Sequence, residues 1–131
     1  MQATKRDRLV VFQRDGFACA ACGARDGLEF QHRQAVGMGG SRRRPSPVEG
    51  LVLCSRCNML VEGPMQSIAL ACGWKVRKWV KDPALVPVFY PRRRRWFLLE
   101  GDVLVPVKVD RAEALMRRVY GAEFDSWKES I

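Results

Sequence analysis

At 131 residues the chain fits one modest domain, and its 47% hydrophobic content is ordinary for a globular protein. The 23 lysines and arginines against 14 acidic residues give a formal net charge of +9, which favours nucleic acid over an acidic ligand site or a membrane surface. No apolar run reaches bilayer-spanning length and the first residues lack a signal-peptide hydrophobic region, so we expect a cytoplasmic protein that does not engage membranes.

The first predicted element is a short amphipathic helix over residues 4–15. Thr4 can cap its N-terminus, and Asp7 occupies the capping-box position three residues later. Apolar residues in the middle of the segment form a stripe along one side. Gly16 is expected to end the helix.

Two cysteine pairs of identical spacing follow, Cys19-x-x-Cys22 and Cys54-x-x-Cys57. Gly23 permits the tight turn that aims two sulfurs at one point. In a reducing cytoplasm such pairs predict metal ligands or a redox dithiol, not structural disulfides. The paired spacing favours one structural Zn²⁺ held by four thiolates. Two independent pairs of buried cysteines, or a redox dithiol, are the alternatives.

Between the cysteine pairs, the alternation of apolar and polar residues over 28–33 predicts a β-strand. A second short strand is predicted over 51–53, directly before the second pair. The segment 34–48 is a long loop rich in Gly, Pro and Arg, and loops of this length inside compact domains are commonly functional or disordered.

A helix is predicted over residues 58–72, stopped by Gly73 and interrupted or restarted at Gly63-Pro64. Cys72 lies on the apolar side of this helix and is expected to be a core residue. The rest of the chain is predicted to form strand-like segments at 74–76 and 87–90, a β-hairpin of 96–99 and 103–107 around the turn 100–102, a helix over 112–120 capped by Asp110, and a frayed tail at 122–131.

The order of these motifs resembles an HNH endonuclease, most similar to the phage-encoded branch. The resemblance covers about residues 8–75. It is carried by these residues: Cys19-x-x-Cys22-Gly23, then Leu28-Glu29-Phe30-Gln31-His32-Arg33, then Gly37-Met38-Gly39-Gly40, then Gly50-Leu51-Val52-Leu53-Cys54-x-x-Cys57-Asn58.

This resemblance implies an α+β fold with a small ββα-metal core at residues 1–75, stapled by the four-cysteine zinc site. A C-terminal extension, residues 76–131, would then add the β-hairpin and helix and pack on that core. Two antiparallel strands and the helix after Asn58 would hold a second, catalytic divalent ion.

The resemblance also assigns roles to individual residues. His32 falls on the general-base position, and an imidazole suits that role because its pKa lies near working pH. Asn58 falls on the last motif position, and Glu62 would lie one helical turn beyond it; with Gln31 they would bind Mg²⁺ or Mn²⁺. Gln31 replaces the more usual metal-binding Asp or His. Glu49 replaces the central Asn that helps to orient the base.

Arginines are the expected contacts to the DNA phosphate backbone. Most of the candidates fall in two runs, residues 42–44 and residues 92–95. The second run precedes Trp96 and could present arginine beside an aromatic surface; the alternative interpretation is a solvated basic turn. The candidate contacts are Arg33, Arg42, Arg43, Arg44, Arg92, Arg93, Arg94 and Arg95.

Three functional hypotheses follow. The first is a metal-dependent DNA endonuclease, acting in the host cytoplasm if it is phage-encoded, that leaves 5′-phosphate and 3′-hydroxyl ends. The second is a zinc-containing module without strong catalysis that binds DNA or docks on a phage terminase or another packaging or replication enzyme; Gln31 and Glu49 motivate it. The third is a redox dithiol protein.

Overall fold

The computed structural model of the protein describes residues 4–34 and 49–131. Within them the fold is mixed α+β, with two small antiparallel sheets, and single 3-10 turns lie at Pro83–Leu85 and Pro91–Arg93. In chain order the elements are α1 (Lys5–Arg14), β1 (Leu28–His32), β2 (Gly50–Cys54), α2 (Ser55–Leu60), α3 (Gln66–Ala71), β3 (Val88–Tyr90), β4 (Arg95–Glu100), β5 (Val103–Val107), α4 (Val109–Tyr120) and α5 (Ala122–Lys128).

Helix α1 confirms the prediction from its capping residues. Thr4 accepts a hydrogen bond from the backbone N–H of Asp7, and the Asp7 carboxylate accepts one from the Thr4 backbone. These two bonds satisfy donors that the first turn of a helix otherwise leaves unpaired. Gly16 follows the helix with φ of +70°.

Strands β1 and β2 form the predicted antiparallel hairpin, with His32 opposite Gly50 and Leu28 opposite Cys54. Side chains alternate across a strand, so His32 and Phe30 share one face while Gln31 lies on the other. Every residue of β2 is buried. Helix α1 packs on this hairpin, and α2 contacts both of its strands.

The helix predicted over 58–72 is two helices, and the predicted interruption at Gly63-Pro64 is confirmed. Helix α2 begins at Ser55 because the Cys54 side chain accepts the Cys57 backbone N–H as an N-cap. It ends at Leu60, and α3 begins at Gln66. Proline lacks a backbone N–H and biases the residue before it away from helical geometry, which accounts for the break.

The second sheet has the order β3-β4-β5, and the predicted hairpin around residues 100–102 is confirmed. Asp110 does not cap the following helix, because Lys108 occupies the N-cap position and Asp110 lies in the first turn. The predicted frayed tail is wrong. Its residues form α5, which buries Phe124 completely and leaves Trp127 only 7% exposed.

One hydrophobic cluster joins the two halves of the chain. It contains the buried cysteines of both pairs together with Phe97 and Leu99 of β4. Asp15 adds a polar connection, since its fully buried side chain pairs with Arg14 at 3.0 Å and accepts a hydrogen bond from the Tyr90 hydroxyl at 2.7 Å. The segment after residue 75 therefore completes the core around the cysteines.

Gly73 ends the α3 region in a conformation that other residues rarely adopt. Its φ is +74°, and an added Cβ would lie 1.9 Å from the carbonyl oxygen of Pro87. Glycine is required here both for the positive φ and for the close approach of two backbone segments. Among residues 4–34 and 49–131, no helix combines the length and the apolar character that crossing a bilayer demands.

Candidate metal centre and active site

The four cysteines of the two predicted pairs converge on one point. The sulfurs of Cys19, Cys22, Cys54 and Cys57 all lie within 4.8 Å of one another, although the pairs are far apart in the sequence. The first pair lies in the turn that precedes β1, and the second spans the junction of β2 and α2. The hairpin thus brings the two pairs together.

The geometry of this cluster fits a tetrahedral zinc ion. Four sulfurs at a Zn–S distance of about 2.3 Å lie roughly 3.8 Å from one another at the corners of a tetrahedron. The Cys22 and Cys54 sulfurs are 3.7 Å apart. An all-cysteine set at this spacing matches a structural zinc site, which leaves no ligand position open for catalysis.

The surrounding backbone supports the same interpretation. Backbone N–H groups approach three of the sulfurs, with Cys22 N–H to Cys19 at 3.5 Å, Ala24 N–H to Cys22 at 3.4 Å and Cys57 N–H to Cys54 at 3.4 Å. Such donors favour the thiolate form and orient the ligands. Burial, and then the neighbouring Cys19, raises the pKa of the Cys57 thiol, so a bound cation would be needed to hold Cys57 as a thiolate at neutral pH.

His32 lies at the end of β1 and is partly buried against Phe30, whose ring centroid is 5.2 Å away in an edge-to-face arrangement. The pKa of His32 is lowered from its ordinary value of 6.5, with burial as the largest cause. Arg8 lowers it further, whereas the charge of Glu49 opposes the shift. The imidazole is therefore neutral at neutral pH, and Glu49 lies close enough to act on it electrostatically.

The candidate metal ligands of the hairpin and of α2 lie on the opposite face. Gln31 alternates with His32 along β1, and Glu29 shares the Gln31 face two residues earlier. The Asn58 side-chain amide donates a 2.7 Å hydrogen bond to the Glu29 carboxylate. Glu29 therefore belongs to this group of oxygen donors, although the motif resemblance does not include it as a ligand. The signal in the sequence that indicates Glu29 is its two-residue spacing from Gln31, which places both on one face of the strand.

Glu62 does not share a helix with Asn58, because α2 ends at Leu60. Both Glu62 oxygens accept hydrogen bonds from the Lys75 ammonium, at 2.8 and 2.9 Å. The prediction that Glu62 lies one helical turn from Asn58 is therefore wrong. Its carboxylate is already neutralised by a neighbouring lysine.

Arg33 was predicted to contact DNA, and this prediction is wrong. Its side chain is only 1% exposed, so it presents no surface to a phosphate backbone. The guanidinium instead donates to the backbone carbonyls of Gly73, Pro83 and Val86, at 2.9, 3.3 and 2.8 Å. Burial lowers the pKa of Arg33 to about 10, which still leaves it charged at neutral pH.

The second arginine run lies beside the first cysteine pair. Arg92 donates to the Gly23 carbonyl at 3.2 Å, and the Arg93 guanidinium lies over the rings of Tyr90 and Phe97. A cavity of about 280 Å³ opens here, and the cations on its wall are Arg25, Arg92 and Arg93. Arg25 was not singled out in the sequence.

The remaining predictions about the arginines concern the surface beside Trp96 and the other candidate DNA contacts. Trp96 is 6% exposed, so the second run does not border an aromatic surface formed by that ring. Arg94 and Arg95 are exposed. Arg42, Arg43 and Arg44, together with the Gly37-Met38-Gly39-Gly40 motif, lie outside the described residues.

Comparisons with known proteins found no match to this chain among family models, curated proteins or solved structures.

Proposed function

We propose that this protein is a metal-dependent DNA endonuclease in which His32 is the general base. The observation that carries the proposal is a neutral, partly buried imidazole at the end of a hairpin whose other strand runs directly into the four-cysteine cluster. The element order β1, β2, α2 also agrees with the ββα arrangement that the motif resemblance implies.

The environment of His32 suits proton transfer. A lowered pKa keeps the ring unprotonated, and an unprotonated ring can accept a proton from water. Phe30 limits the orientations of the imidazole through its edge-to-face contact. Glu49, which lies next to Gly50 opposite the end of β1, supplies the negative charge that stabilises the imidazolium formed in the reaction.

The proposed reaction is the hydrolysis of one phosphodiester bond. His32 takes a proton from water as the water oxygen bonds to phosphorus and the bond to the 3′ oxygen breaks. That oxygen then takes a proton from solvent, which leaves 5′-phosphate and 3′-hydroxyl ends. A bound divalent ion such as Mg²⁺ or Mn²⁺ would neutralise charge on the leaving oxygen. Gln31, Asn58 and Glu29 are oxygen donors of the kind that such an ion prefers, but they lie on the face of the hairpin opposite His32, so they do not by themselves place the ion beside the base.

Supercoiled plasmid tests this proposal. We expect the purified zinc-loaded protein to nick the plasmid when Mg²⁺ or Mn²⁺ is added, and His32→Ala and His32→Gln to lose the activity while keeping the wild-type circular dichroism spectrum. Exogenous imidazole should restore part of the activity of His32→Ala. Gln13→Ala, on the exposed side of α1, is the matched control. Undiminished nicking by both His32 variants would overturn the assignment of the base.

A second function is favoured by one observation. The Lys75 ammonium donates hydrogen bonds to both oxygens of Glu62, so a metal ion would have to displace this ion pair to bind the carboxylate assigned from the motif. We propose as the alternative a zinc-containing module that binds DNA, or docks on a terminase or other DNA-processing enzyme, without cutting. Wild-type protein that binds DNA in a salt-sensitive way but nicks no plasmid with any divalent metal would favour this alternative.

A further inference from the structure

Trp79 is the exposed tryptophan of this protein. All four tryptophans fall within the described residues, and Trp74, Trp96 and Trp127 are 4%, 6% and 7% exposed, whereas Trp79 is 58% exposed. A large aromatic ring left in water forgoes the free energy that its burial would contribute. An exposed tryptophan ring that is also fixed in position is a candidate binding residue.

The Trp79 ring is fixed in position by a contact with another aromatic ring and by hydrogen bonds to the neighbouring backbone. The Tyr120 ring meets it edge-to-face at 5.6 Å, and Tyr120 itself packs on Trp127 at 4.8 Å. The Gln34 side-chain amide donates to backbone carbonyls on both sides of Trp79, at 2.9 Å to Arg77 and 2.7 Å to Val80. The ring is thus presented at low conformational cost to whatever binds it.

Two concave surfaces meet at Trp79. A groove of about 490 Å³ is lined by apolar residues that include Leu115 and Val119 and by the cations Lys81 and Arg118. A second hollow of about 500 Å³ has Lys75, Arg77 and Lys78 on its wall. The acidic residues that line these surfaces are Asp82, which caps the Ala84 backbone N–H, and Glu123.

Three of these cations are available to a ligand. Among the described residues, Lys78, Lys81 and Arg118 make no ion pair, whereas Lys75 is paired with Glu62 and the neighbouring Arg117 with Asp125. An exposed aromatic ring with unpaired cations around it is complementary to a strand that carries both flat bases and phosphates. A purely apolar partner would gain nothing from these charges.

We propose that Trp79 is a stacking platform for an unpaired base of single-stranded nucleic acid, with Lys78, Lys81 and Arg118 contacting the phosphates. A base needs an open aromatic face, and duplex DNA does not offer unstacked bases. The surface therefore selects single-stranded or locally opened nucleic acid.

The platform lies close to the proposed cutting site. Gln34 follows His32 by two residues, and the Arg33 carbonyl accepts the Val76 backbone N–H at 2.7 Å. These links place Trp79 within about 20 Å of His32, which is at most about six nucleotides at the stacked spacing of a strand. The inference names a substrate class for the proposed endonuclease and depends on that function only for the cutting step, not for binding.

The test measures binding by the full-length protein with its zinc in place and no other divalent ion added. A fluorescently labelled dT oligonucleotide and a duplex of equal length are titrated at several salt concentrations. Wild-type protein should prefer the single strand, and Trp79→Ala should weaken that binding by about 5- to 100-fold while Trp79→Phe retains most of it. Phe17→Ala, another exposed aromatic residue, should bind as wild type. Lys81→Gln should lower the slope of log K against log salt by about 0.7.

Intrinsic fluorescence gives an independent measurement, because only Trp79 is exposed. The unlabelled oligonucleotide should quench the wild-type emission and leave Trp79→Phe almost unchanged. Equal single-strand affinities for wild type and Trp79→Ala, or persistent quenching in Trp79→Phe, would overturn the platform, and that result would favour a protein-docking role for this groove. Trp79-dependent binding without plasmid nicking would contradict only the proposed endonuclease function. Plasmid nicking with no effect of Trp79 on single-strand binding would contradict only the proposed stacking platform.

Discussion

Replacing Arg33 by methionine removes a buried guanidinium that supports three backbone carbonyls. Two of these, Pro83 and Val86, bracket the 3-10 turn that precedes β3, and the third belongs to Gly73. The Pro83 carbonyl keeps its hydrogen bond from the Val86 backbone N–H, so the loss falls mainly on Gly73 and Val86, at about 1–3 kcal/mol for each buried carbonyl left without a donor. Part of that loss is offset, because a buried cation no longer has to be desolvated. We expect Arg33→Met to lower the free energy of unfolding by about 3–5 kcal/mol.

Urea unfolding followed by far-ultraviolet circular dichroism measures this change. With a denaturant slope of about 1.5 kcal/mol per molar, the midpoint should fall by about 2–3 M. Arg33→Lys should lie between wild type and Arg33→Met, since one ammonium keeps the charge but does not span all three carbonyls. Arg111→Met, on the exposed side of α4, is the matched control and should change the free energy of unfolding by at most about 0.5 kcal/mol.

One pattern of results would refute the reasoning. If Arg33→Met unfolds at the wild-type midpoint, the three hydrogen bonds contribute nothing to stability. If it also loses affinity for DNA while remaining fully folded, Arg33 acts as a DNA contact after all, and the buried arrangement described above is not the one that operates in solution.

Two further predictions concern the metal and the core. Chelation of zinc should unfold the region around the cysteines, since the ligand residues belong to the main hydrophobic cluster, and an unchanged circular dichroism spectrum would contradict this. Before chelation no thiol should react quickly with a thiol reagent at pH 8, because zinc would hold the exposed Cys22 and burial raises the pKa of Cys72 to about 12. Gly73→Ala should destabilise the protein by about 3 kcal/mol or more through strain and overlap. Gly101→Ala, also at positive φ but with open space around it, should cost only about 1–2 kcal/mol; equal losses would show that the contact with Pro87 is unimportant.

Local signals in the sequence predicted a large part of this structure. The capping box at Thr4 and Asp7, the hairpin turn at residues 100–102 and the break at Gly63-Pro64 depend on residues a few positions apart, and all three predictions are confirmed. The convergence of the two cysteine pairs was also predicted, because two Cys-x-x-Cys pairs in one short chain are typical of a shared metal site. The catalytic assignments came from a motif resemblance and stay predictions.

What the sequence determined by itself is therefore the chemistry available and the local elements: four thiols in two matched turns, one histidine at a strand end, and a large positive charge. Only the tertiary structure decided which charges and rings face water. Arg33 is buried because distant carbonyls at residues 73–86 surround it, whereas Trp79 is exposed although the other three tryptophans are covered. Burial depends on what the rest of the chain brings to a residue, and no pattern within a few positions of that residue contains this information.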